Sequence, residues 1–348
     1  MMHYGMATVS RMTNTVPSAR GERRAAPKPA RDPLGGSADV PGGRGAVTIR
    51  EVGLRDGLQI LPRVLPTAHK LDWLRAAHAA GLREIEVGSF VPAKLMPQLA
   101  DTAELVAFAN TLPGLKASVL VPNLKGAERA LEVGAHAMLL PLSASHAHSL
   151  ANLKRTPDEV VADLARIVDL RNARGNDCAI EVGISTAFGC TIQGRVEADE
   201  VLRLVRAVID TGVDAVGLAD TVGYADPLQV KTLFERALEV AGAKLTTAHF
   251  HDTRGLGAAN VFAAWQAGMR RFDACNGGIG GCPHAPGASG NVATEDLAFM
   301  LAAMDIDTGI DLTRLLALRK RLSTWLPGET LHGALARAGL PATLATAV

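Results

Sequence analysis

His249 and His251 are two residues apart in a stretch, Thr246 to His251, that reads as a β-strand, and Asp252 follows at once. Residues two apart on a strand project from the same face, so the two imidazoles can chelate one ion. Asp56, where the first strand gives out, and Asn291, in the loop after the last, can add a carboxylate and a carboxamide oxygen, while Asp252 can orient a ligand imidazole from behind. Two imidazoles with two oxygen donors and no thiolate form a hard set. It suits Mg²⁺ or Mn²⁺, with positions left for water and substrate oxygens, better than a structural zinc. Taken alone, a His-x-His pair also describes two hydrogen-bonded histidines at a strand end.

Those residues are far apart in the chain, so a fold must gather them. From Ala46 onward, short β-rich runs alternate with stretches of helical period about eight times. The strands are expected at Val47 to Val52, Glu84 to Gly88, Lys116 to Val121, His136 to Leu140, Ala179 to Ile184, Ala215 to Leu218, Thr246 to His251 and Arg271 to Cys275. Helical patterns between them include Thr67 to Ala80, Gln98 to Asn110, Asp158 to Arg174, Ala198 to Thr211, Pro227 to Ala241, Leu256 to Gly268 and Thr294 to Met304. Such alternation predicts a parallel sheet with right-handed crossovers, and eight units fit a closed (β/α)8 TIM barrel. In a barrel the chemistry lies at the C-terminal ends of the strands. Closure also brings strand one beside strand eight, so Asp56 can approach the histidine pair. Residues 46–348 are thus expected to form one α/β catalytic domain, with one or two extra helices from about residue 310. Met1 to Gly45 holds seven basic residues against three acidic ones, with repeated prolines and no sustained apolar period, and reads as a disordered extension.

Composition removes several function classes. The 36 Lys plus Arg balance 35 Asp plus Glu, leaving no summed field to attract nucleic acid or an anionic membrane. Apolar runs long enough to span a bilayer are missing. The four cysteines form neither a CxxC pair nor a dense scaffold, which points to a reducing, cytoplasmic setting. The basic tail keeps a mitochondrial matrix as the alternative, although its prolines spoil the amphipathic helix of a transit signal.

Five segments together resemble 3-hydroxy-3-methylglutaryl-CoA lyase: Glu51 to Gln59, Ile85 to Val91, Pro122 to Lys125, His249 to Asp252 and Gly280 to Asp296. The resemblance spans roughly Val47 to Leu315. It implies a metal-dependent barrel lyase that splits the acyl-CoA thioester 3-hydroxy-3-methylglutaryl-CoA into acetyl-CoA and acetoacetate, working as a homo-oligomer such as a dimer. It also implies Asp56, His249, His251 and Asn291 as metal ligands, Arg55 and Glu86 as polar residues the activity needs, and Cys282 as the cysteine of the active-site loop.

Retro-Claisen cleavage requires a proton acceptor, stabilisation of the departing thioester enolate, and a proton donor to it. Arg55 can set a permanent charge against the thioester oxygen, unless it is only the ion-pair partner of Glu51 or Glu86. Asp220 or a water can take the hydroxyl proton, and Cys282, in a glycine-rich loop suited to closing, can return one to the enolate. Asn123 and Lys125 are candidates for the CoA moiety, the lysine toward a phosphate. Departures from the family pattern at Leu54, His284, Thr191, Ile192 and Ala219 avoid the expected ligands and leave the acyl group open. Rival readings are a lyase for another 3-hydroxyacyl-CoA such as a citramalyl or longer-branched glutaryl thioester, a relative that condenses acetyl-CoA with a 2-oxo acid, and a barrel that only binds.

Overall fold

The computed structural model describes residues 46–281 and 290–342. The expected tail, and Cys282 with His284, fall outside the described residues. Eight parallel strands close on themselves in chain order. They are β1 (Thr48–Glu51), β2 (Glu84–Ser89), β3 (Lys116–Leu120), β4 (Ala137–Ser143), β5 (Ala179–Ser185), β6 (Ala215–Asp220), β7 (Leu245–Phe250) and β8 (Arg271–Ala274). Closure is direct: Arg50 of β1 pairs with Glu84 of β2 on one side and Asp273 of β8 on the other.

The period of two sorts each strand into an outward apolar row and an inward row. Ile180, Val182 and Ile184 of β5, Val216 and Leu218 of β6, and Ala248 and Phe250 of β7 are 0–1% exposed beneath the helices. Helices α1 (Thr67–Ala79), α2 (Thr102–Ala109), α3 (Leu124–Glu132), α4 (His146–Leu153), α5 (Pro157–Ala173), α6 (Ala198–Asp210), α7 (Pro227–Ala241), α8 (Gly257–Gln266) and α9 (Thr294–Ala303) supply the cover. In α6 the buried residues Val201, Leu204, Val205 and Val208 fall at one-face spacing. α5 begins with a capping box between Thr156 and Glu159 and with Pro157 in its first turn. The extra helices are α10 (Leu312–Trp325), which buries Leu315, Leu318 and Leu322, and the short α11 (Leu335–Ala338). None of the described helices is long and apolar enough to cross a membrane.

Two helices escape the sequence pattern. α3 has nine residues including Gly126, and its start is marked by the side chain of Asn123 accepting from the Gly126 amide at 3.0 Å. α4 has eight residues, two of them histidine, too short and polar to show a period. β4 runs on through Pro141 to Ser143, pairing with Gly183 and Ser185.

The inward row at the floor of the barrel is charged. Arg50 donates to both oxygens of Asp273, at 2.7 and 2.9 Å, and to both oxygens of Glu181, at 3.0 Å each. Arg271 joins Glu84 at 2.6 Å and Glu181 at 2.9 Å. Two guanidinium forks and three carboxylates therefore fill what apolar side chains fill in many barrels.

Candidate active site

Above that floor, β1 does not run directly into a helix. It passes into a π-helical turn, Gly53–Gly57, which carries Arg55 and Asp56 over the barrel mouth. The turn packs tightly: a Cβ at Gly53 would lie 2.4 Å from the Trp73 ring. Asp56 is 5% exposed. Its Oδ1 accepts from Arg55 at 2.6 Å and Gln59 at 2.8 Å, and its Oδ2 accepts from the Asn291 amide at 2.7 Å.

β7 delivers His249 on the inward row, and His251 lies one residue past its end, bridged to Asn291. Their rings are 5.1 Å apart, and His251 Nε2 sits 3.5 Å from Asp56 Oδ2. One ligand atom from each of Asp56, His249 and His251 can be chosen so that all lie within 4.8 Å of one another. A cation fits this set on its own evidence, because Asn291 is 2% exposed and its Oδ1, a hard donor, has no hydrogen-bond partner. Gly280, with φ at +107°, packs directly on the site: a Cβ there would meet the Asn291 amide nitrogen at 2.6 Å and the Asp56 carbonyl oxygen at 3.0 Å.

The residue behind His249 is Asp273, not Asp252. Asp273 Oδ2 lies 3.1 Å from His249 Nδ1, which leaves Nε2 for the site. Asp252 instead accepts at 2.7 Å from the amide of Gly257, the first residue of α8. The signal for Asp273 was in the sequence: Arg271-Phe272-Asp273 alternates charge, apolar, charge along a strand, which turns both charges inward.

Arg55 Nε stands 2.7 Å from Glu86 Oε1, a buried ion pair beside the Asp56 carboxylate that the same guanidinium also meets. Glu86 is fully buried, and burial, opposed by Arg55 and Arg50, pushes its carboxyl up to about 7. Burial also acts on Asp56, but the charge of Arg55 and the two imidazoles hold it well below the usual carboxylate range. Burial works against a charged His249 and is outweighed by its bond to Asp273, so its pKa rises.

The remaining expected residues are more dispersed. Asp220 shares the outward register of Val216 and Leu218, and its two oxygens accept from the amides of Tyr224 at 2.9 Å and Ala225 at 3.1 Å. Burial raises its pKa against those two bonds. Asn123 and Lys125 are exposed at the start of α3. Sequence reasoning missed the support beneath the glycine-rich loop: buried Glu51 accepts from the amides of Gly53 and Asn276 and from the Thr294 hydroxyl, and Glu295 accepts from Asn276 and Gly277.

Residues 46–322 match the HMGL-like family model. The chain belongs to the HMGL-like family. It is 39% identical over 290 residues to the hydroxymethylglutaryl-CoA lyase of Bacillus subtilis, covering 82% of this chain and 96% of that protein. It is also 39% identical over 304 residues to the (R)-citramalyl-CoA lyase of Chloroflexus aurantiacus, covering 84% and 95%. A solved HMG-CoA lyase from Acinetobacter baumannii, in complex with coenzyme A and 3-methylmalate, superposes with a TM-score of 0.80 at 41% identity, covering 85% of this chain and 96% of that one. As a member of the HMGL-like family the chain is an enzyme with lyase activity. Which thioester it cleaves is a separate question, because two relatives of equal identity carry different substrate names.

Proposed function

We propose that the chain cleaves 3-hydroxy-3-methylglutaryl-CoA to acetyl-CoA and acetoacetate, using Mg²⁺ or Mn²⁺ held by Asp56, His249, His251 and Asn291. The observation that carries this reading is the convergence of Asp56, His249 and His251, with the unpartnered Asn291 Oδ1 next to Asp56, beside the Arg55–Glu86 pair. When bound, the cation supplies Lewis acidity toward substrate oxygens. The chain's own residues do the rest. Asp273 keeps His249 in one tautomer, and Asn291 ties the last loop to Asp56. The hydroxyl proton passes to a water as the C3 oxygen becomes a carbonyl, because both oxygens of Asp220, the carboxylate first expected in that role, are held by the amides of Tyr224 and Ala225. The C2–C3 bond breaks, its electron pair becomes the thioester enolate, and the Arg55 guanidinium faces the charge that develops on the thioester oxygen. A proton from Cys282 then completes acetyl-CoA. Asn123 and Lys125 would meet the CoA moiety.

The citramalyl-CoA lyase relative supports a second reading in which the same chemistry acts on a citramalyl thioester. Incubation with a panel of 3-hydroxyacyl-CoA thioesters and either cation, with products identified by mass spectrometry, separates the two. Acetoacetate with acetyl-CoA supports the first, pyruvate with acetyl-CoA the second, and no cleavage of any thioester removes both.

A further inference from the structure

The inward face of the barrel is lopsided. Apart from Glu181 and Lys116 at the floor end, its charged side chains come from β1, β2, β7 and β8. Above Glu181, β5 continues inward with Gly183 and Ser185, the hydroxyl of the latter 3.0 Å from that of Ser143. In the sheet register Gly183 stands between Pro141 of β4 and Gly217 of β6. At Gly217 a Cβ would press on Thr247 at 3.0 Å, so that glycine serves close packing. At Gly183 a Cβ would meet no heavy atom within 4 Å, and the backbone there lies outside the left-handed region that requires glycine. Barrel interiors are ordinarily filled by branched side chains, so an inward strand position with nothing to touch is a chamber.

Two further observations tie the chamber to the reacting centre. Pro141, Gly183, Ser185 and Ala219 are each half-buried, while Glu181 beneath them is 1% exposed and closes the floor with Arg50 and Arg271, so solvent reaches them from the mouth. At the mouth above, the Oδ1 of Asn291, beside Asp56, is almost wholly buried and lacks a hydrogen-bond partner. A carboxylate placed against Pro141, Gly183 and Ala219 would lose water and find no counter-charge on that wall, which is costly, whereas a hydrocarbon group would only displace water.

We propose that the space over Gly183 receives the C3 branch of the substrate, and that Gly183 lets the site take 3-hydroxyacyl-CoA thioesters whose branch is longer than methyl. This rests on the lyase reading above. The test uses full-length enzyme with Mg²⁺ or Mn²⁺ and 3-hydroxyglutaryl-CoA thioesters carrying methyl, ethyl or butyl at C3. Wild type is expected to cleave the butyl thioester with a kcat/KM within about tenfold of the methyl one. Each methylene in an apolar pocket changes kcat/KM by roughly tenfold or more, so Gly183→Val should lower the butyl-to-methyl ratio by about 10²-fold and Gly183→Ala by less. An unchanged melting temperature would show that the variants fold. Cleavage of the methyl thioester with the butyl one rejected by wild type, or a ratio unmoved by Gly183→Val, overturns the inference and leaves the lyase reading standing. No cleavage of any of the three removes the lyase reading and the inference with it.

Discussion

The floor and the mouth of the barrel are both built from buried charge, and they treat it in opposite ways. At the floor, Arg50, Arg271, Glu84, Glu181 and Asp273 have no buried nitrogen or oxygen without a partner. At the mouth, Oδ1 of Asn291 and Nδ1 of His251 have none. An unsatisfied buried polar atom costs about 1–3 kcal/mol, so a fold keeps several together where an ion or substrate will meet them. Between these two ends of the barrel, the saturated one is structural and the unsaturated one is where an ion and a substrate fit.

The sharpest way to break that contrast is to remove what the mouth is built to hold. Chelation should abolish activity, and added Mg²⁺ or Mn²⁺ should restore it; full turnover in metal-free buffer would refute the cation site. Next in size is a pair of substitutions read side by side. Arg55→Gln should lower kcat per folded molecule by roughly 10² to 10⁴, on the order of 3–5 kcal/mol, with KM and bound metal little changed. Glu181→Ala leaves Arg50 and Arg271 each short of a buried partner and should cost about 3–5 kcal/mol of stability, a fall of ~10 °C in Tm. Turnover per folded molecule should stay within severalfold. A kcat for Arg55→Gln within about threefold of wild type would place Arg55 with the floor residues instead.

Asp273 belongs to both regions, since one oxygen faces His249 while both accept from Arg50. Asp273→Asn should therefore show a mixed effect, with metal affinity in titration calorimetry weaker by about 10- to 100-fold and only modest loss of stability. His249→Ala should lose at least as much affinity. An Asp273→Asn enzyme with wild-type affinity would mean that the ring of His249 is held by its own strand.

How much of this was legible follows from the same contrast. Strand alternation exposed the barrel, because Ile85 and Val87 or Ile180 and Val182 must face helices whatever their partners are. That Asp56 would meet His249 and His251 was legible from residue type and from the closure of strand one on strand eight. The pairing of Arg50 with Glu181, 131 positions away, was not, because which inward charges meet depends on strand tilt, which no local pattern records. For the same reason the orienting carboxylate was read as the neighbouring Asp252 rather than Asp273, 24 positions away. Nor does a glycine in a strand announce itself: Gly183 and Gly217 read alike in sequence, and only their surroundings separate empty space from close packing.

The smallest expected effect tests the contrast through protons. The floor acids Glu181 and Asp273 are buried, yet Arg50 and its neighbours hold both below the usual carboxylate range. Burial pushes Glu51 and Glu295, under the mouth's glycine-rich loop, up to about 7 against the hydrogen bonds they accept. A carboxyl whose pKa is higher folded than unfolded contributes stability that is fully present below its unfolded value and is lost as pH rises through the folded one. The mouth acids should therefore lower Tm between about pH 5 and pH 8. The floor acids act in a separate window, losing their contribution only as pH falls below the ordinary carboxylate value near 4. With ~1 kcal/mol moving the midpoint of a chain this size by about 2–4 °C, a decline of roughly 5 °C from pH 5 to pH 8 is expected. Glu51→Gln, which keeps a carbonyl oxygen for the amides of Gly53 and Asn276, should flatten part of that slope. A Tm that holds level or rises over this range would mean that the donors around Glu51 outweigh its burial, and that the carboxylates beside the mouth are as fully compensated as those of the floor.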